Sequence, residues 1–180
     1  FSICCIIASN RISASQLATV GAAYAASESR RKEFMDKATE KFGEKKVNEV
    51  KEAIVEEKMT KAVENPTTIY NMGVGDQLFY ESWTGRIFVR DLESVRKGVN
   101  DANVELINND SLTFDEYCDW ISGGQLESVK AGGMGWNGDF CNKIDVSYIA
   151  KKIETGPYAG RTALAIIFHT DSEPRCNARY

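Results

Sequence analysis

The sequence predicts an α+β protein: a long N-terminal helical segment, broken near Gly43, then a small antiparallel sheet with one long and one short helix. Three observations carry this. From Glu28 to Glu64 charges of both signs alternate densely among apolar positions at helical spacing. Leu92, Val95, Val99, Ala102 and Leu106 recur at intervals of three and four, the signature of an amphipathic helix. Two stretches, Asp76–Val89 and Ile144–Phe168, read as strand, turn, strand. The chain therefore divides into a helical anchor or stalk, residues 1–65, and a globular α+β domain, residues 66–180.

Phe1–Ala8 carries no charge, and Asn10 and Arg11 end the apolar run. A bilayer crossing needs about 20 apolar residues, so this run is too short to span one. Because the chain starts with Phe, the run reads as the tail of a membrane helix that begins upstream. A buried N-terminal helical turn is the plain alternative. At about 100° per residue, Ala14, Ala18, Gly21 and Ala25 fall on one stripe. A stripe without bulk lets a second helix approach closely. These four residues are the predicted helix-packing surface, although alanine also serves simply as a good helix former.

Further along, Phe34, Met35, Ala38 and Phe42 form one apolar stripe, and Val47, Val50 and Ile54 form another. A straight helix would turn by about 140° between Phe42 and Val47, so the stripes are out of phase. Gly43 lies at the break and suits a helix C-terminus. A second helix runs to about Val63, and Asn65-Pro66 closes it. The charged residues around these stripes read as a solvated helix surface.

The first hairpin pairs Asp76–Glu81 with Arg86–Val89, around Ser82-Trp83-Thr84-Gly85. Asp91 caps the long helix, which ends near Asn108-Asn109-Asp110. Thr113 with Glu116 is a capping-box pattern for a short helix that Gly123-Gly124 stops. Residues 123–142 are glycine-rich and read as loops with one short strand at most. The last hairpin pairs Ile144–Tyr148 with Thr162–Phe168.

Composition limits the function. Net charge is -4, with no polybasic footprint, which argues against nucleic acid. The five cysteines are odd in number and lack ligand spacing, so they read as reduced thiols, and no metal or cofactor is expected. The single histidine, His169, ends an apolar strand. A Cys–His pair with Cys118 or Cys141 is conceivable, but a core-edge or surface histidine is the simpler reading. Asp115, Glu116 and Asp119 cluster on the short helix and read as a solvated face rather than a cation site. Neither Gly73-Val74-Gly75 nor Gly132-Gly133-Met134-Gly135 has the spacing of a phosphate loop, and no small-molecule partner is expected. Phe79, Tyr80, Trp83 and Phe88 share one hairpin. Core packing is the plain use, and a partner surface built on Tyr80, Trp83 and Phe88 is the alternative.

The order of features resembles a phage- and prophage-encoded family of unknown function from Gram-positive gut bacteria. The matching pieces are Ala22-Ala23-Tyr24-Ala25-Ala26-Ser27-Glu28, Gly43-Glu44-Lys45-Lys46, the stretch from Ser82 to Val89, Gly135-Trp136-Asn137, Pro174-Arg175 and the terminal Tyr180. The resemblance implies an N-terminal hydrophobic helical hairpin, a charged helix and a small C-terminal α+β domain. It carries over no catalytic or binding residue. The resulting expectation is a non-enzymatic accessory or structural protein of a phage or prophage. It would sit at the membrane of a bacterial host with its globular part in the cytoplasm, and act through contacts with itself or with other phage or host proteins. One alternative is a virion or assembly component whose helices pack against protein. The other is an enzyme with a site between the glycine-rich segment and the last hairpin.

Overall fold

A computed structural model describes residues 28–71, 75–124 and 134–175. Phe1–Ala8 and the Ala14, Ala18, Gly21, Ala25 stripe lie outside the described residues. The chain divides into two compact units, with the division after Lys58.

In the first unit, α1 (Glu28–Phe42) ends at Gly43 and α2 (Glu44–Glu64) begins directly after it. Gly43 has a φ of +82°, the left-handed conformation that ends a helix at low steric cost. The break lets the two out-of-phase stripes meet: Met35 and Ala38 pack with Val47 and Val50, flanked by Phe42 and Ile54. Phe34 departs from its predicted stripe and is exposed. Glu33 and Lys37 form an ion pair on the solvent side at 2.6 Å. The solvated-surface reading fails at Lys51, which is only 4% exposed.

The second unit takes in the last turns of α2, where Met59 and Val63 are fully buried. Glu64 Oε1 accepts from Thr155 Oγ1 at 2.5 Å, and the backbone of Gly156 lies against Glu64. The strands are β1 (Ile69–Asn71), β2 (Gln77–Glu81), β3 (Arg86–Arg90), β4 (Ser111–Thr113), β5 (Gly135–Asn137), β6 (Val146–Lys152) and β7 (Thr162–Phe168). Five of them form one sheet in the order β1-β3-β2-β7-β6, while β4 and β5 pair separately.

Both hairpins are antiparallel as expected, with Phe79 opposite Phe88 and Ile149 opposite Ala165. The sheet as a whole is mixed, which corrects the expectation of an antiparallel one. The hairpins join through a parallel pair, Leu78 opposite Ala163 to Glu81 opposite Ile166, and β1 adds in parallel to β3.

Between the hairpins run α3 (Leu92–Asn109) and α4 (Phe114–Ser122). Asp91 caps α3 by accepting from Ser94 N at 2.8 Å. The Thr113–Glu116 capping box is complete at the start of α4. The two helices nearly touch at Gly98, where a Cβ would fall 2.3 Å from Trp120 O, so only glycine fits that crossing. Val95, Val99, Ala102 and Leu106 turn inward as their spacing predicts. They join Phe114, Tyr117, Ile121 and Trp136 over the sheet face that carries Phe79, Phe88, Ile166 and Phe168.

Burying a Met or Val side chain contributes about 1.5–3 kcal/mol. A fragment starting at Met59 should therefore outlast one starting at Pro66 by about 2 kcal/mol or more in urea unfolding. Equal stabilities would show that the end of α2 contributes nothing to the second unit.

Candidate functional site

Two features of the second unit stand apart from ordinary core packing. The first is a buried acid. Glu81 ends β2 opposite Arg86, on the face covered by α4, and is 0% exposed. Its side chain reaches into the turn that follows. Oε1 accepts from Trp83 N at 2.8 Å, and Oε2 accepts from Thr84 N at 2.7 Å and Thr84 Oγ1 at 2.6 Å. Burial pushes this carboxyl above its ordinary value, against the pull of the Thr84 and Trp83 donors and of Arg86. Beside it, burial and then the Glu81 charge raise both the Tyr117 phenol and the Cys118 thiol. Tyr117 Oη is buried with no hydrogen-bond partner among the described residues. This arrangement locks a turn. A thiol shifted upward is a poor nucleophile, because the thiolate is the reactive form.

The second feature is an open groove of about 460 Å³ between α3 and α4. Ser94, Lys97, Gly98 and Asp101 form one wall, and Asp119, Trp120, Gly123 and Gly124 form the other, with Arg90 at the end. The close crossing at Gly98 brings the two walls together. Arg90 donates to Trp120 O at 3.2 Å and to Ile121 O at 2.6 Å, neutralising the carbonyl end of α4. Lys97 pairs with Asp101 at 2.5 Å. Asp119 is raised by partial burial and by its neighbours Asp115 and Glu116. On the rim Trp120 remains 39% exposed, and α3 also presents Val104 and Ile107 to solvent. A large aromatic beside paired charges is the composition of a protein-contact surface, where tryptophan supplies most area per side chain.

The aromatic hairpin packs as core, the plainer of its two readings, and the alternative of a partner surface on Tyr80, Trp83 and Phe88 does not match their burial. Phe88 is fully buried and stacks on Phe79 at 5.3 Å, and Tyr80 is buried as well. Trp83 is half-buried, its Nε1 donating to Met134 Sδ at 2.9 Å and its ring edge-on to Phe168. These residues alternate across a sheet buried on both faces, so they became core. The conceivable Cys–His pair is not assembled. His169 is exposed, Cys118 is buried, and Cys141 Sγ donates to Lys143 O at 3.2 Å. Glu116 is occupied by its capping box, accepting from Thr113 N and Thr113 Oγ1. Among the described residues no group of acids, histidines or cysteines could hold a metal ion. Trp120 was not singled out from sequence. It neighbours Ile121 on a short helix, and only the Gly98 crossing shows which side stays open.

A model of a family of unknown function (DUF6353) matches residues 1–176. No curated protein and no solved structure matches the chain.

The raised Glu81 carboxyl has a definite consequence for stability. The folded chain holds this proton more tightly than the unfolded chain does, so stability falls as pH rises from about 4.5 through the folded value. Glu81→Gln removes that contribution. The parent's unfolding free energy minus the variant's should decline across this window. A difference independent of pH would show that Glu81 is not raised.

Proposed function

The chain belongs to this family of unknown function, and from that premise we propose that it is a non-enzymatic accessory or structural protein of a phage or prophage, acting through protein contacts. The observation that carries the contact reading is the exposed Trp120 on the rim of the α3–α4 groove. The phage assignment rests on the sequence resemblance from Ala22 to Tyr180. Membrane attachment is a further part of the proposal. Among the described residues no helix is long and apolar enough to cross a membrane. That part therefore rests on the uncharged Phe1–Ala8 and the small-residue stripe alone. A virion component with its helices packed against protein is the competing version.

The two versions separate by fractionation of the expressed protein. Membrane attachment predicts that the protein pellets with membranes and is released by detergent; recovery in particles or in the detergent-free supernatant contradicts it. The contact reading predicts that Trp120→Lys keeps the fold and loses at least about tenfold in affinity for whatever protein the parent retains, since a buried interface tryptophan is worth about 2 kcal/mol or more. A parent that retains no protein, or a variant that retains the same set, would contradict the reading. Turnover of a small molecule by the purified protein would favour the enzyme alternative.

A further inference from the structure

Four charged side chains line the α3–α4 groove: Arg90, Lys97, Asp101 and Asp119. Three of them are already engaged. Lys97 and Asp101 hold each other at 2.5 Å. Arg90 spends its Nη1 on the carbonyls of Trp120 and Ile121, and its Nη2 lies against Gly123, 3.3 Å from where a Cβ would stand. Asp119 is the remainder. Among the described residues its carboxylate has no cation and accepts no hydrogen bond.

That remainder selects the sign of a ligand. Burial, then repulsion from Asp115 and Glu116, hold the Asp119 carboxyl above its ordinary value. A cation in the groove relieves the repulsion, and an anion adds to it. The next residue, Trp120, lines the same groove with its ring 39% exposed. An indole face attracts a cation through its quadrupole. One side chain answers both groups. The planar guanidinium of arginine forks onto a carboxylate and stacks on an aromatic face, whereas the lysine ammonium is a strongly hydrated point charge. The groove volume of about 460 Å³ falls within the range of about 300–1,000 Å³ typical of ligand pockets, so a long side chain fits.

We propose that the α3–α4 groove takes an arginine side chain of a partner protein, with its guanidinium on the Asp119 carboxylate and against the Trp120 ring. The inference rests on the protein-contact reading of this groove and names the chemistry of the partner.

Nuclear magnetic resonance of the full chain tests this with two end-capped tripeptides, Gly-Arg-Gly and Gly-Glu-Gly. The indole N–H signal of Trp120, identified by its loss in Trp120→Phe, should move saturably with the arginine peptide at millimolar concentration. It should stay in place with the glutamate peptide. In Asp119→Asn, a change on an exposed helix face, saturation should need about fivefold more arginine peptide. Three results would each overturn the proposal: a signal that ignores the arginine peptide, one that moves equally with the glutamate peptide, or an Asp119→Asn titration like the parent's. Its failure is distinct from failure of the contact reading. A parent that retains protein through Trp120 but ignores the arginine peptide keeps that reading and loses this one.

Discussion

The second unit depends on one pairing. Two antiparallel hairpins, each local in sequence, become one sheet only because β2 lies parallel to β7. Parallel neighbours cannot be joined by a tight turn and need a long crossover. Here the crossover contains β3, α3, β4, α4, β5 and β6, so Glu81 meets Ile166 across 85 positions. Gln77 Nε2 donates to Thr162 O at 2.8 Å at one end of the seam, and Ser82 N reaches Ile166 O at the other.

The buried acid stands at this seam. Glu81 is the last residue of β2, with Ile166 beside it on β7 and Arg86 on β3. An unpaired buried charge would cost several kcal/mol. Three donors from the turn and the adjacent guanidinium offset part of that cost, and burial still holds the carboxyl above its ordinary value. The consequence is a fixed turn: Trp83 is held over Phe168, against the aromatic cluster of Phe114, Tyr117, Trp136 and Phe168. The cluster in turn seats α4, and the seat of α4 against Gly98 opens the groove that Trp120 borders. The proposed contact surface thus follows from packing decisions made two layers below it.

Local signals were legible in the sequence, and the long-range ones were not. The break at Gly43, the caps at Asp91 and Thr113, the inward face of α3 and the strand Thr162–Phe168 all follow from spacing and capping chemistry within a few residues. The parallel β2–β7 and β1–β3 pairs leave no such trace, because an alternating strand looks the same whichever partner it takes. β1 and β4, three residues each, are too short to carry a period. The aromatic hairpin could be read as core or as surface, since alternation says which residues share a face and not whether that face is covered. Trp120 was missed for the complementary reason: its exposure is set by a helix crossing at Gly98, more than twenty positions away.

Native-state hydrogen exchange measures the central claim directly. If the β2–β7 seam makes the two hairpins one cooperative unit, the slowest amides of Gln77–Glu81 and of Thr162–Phe168 will exchange with one common free energy, equal to that of global unfolding. They will also respond in parallel to denaturant. If one hairpin opens at a clearly lower free energy while the other stays protected, the seam does not hold the unit together, and this account of the fold is wrong.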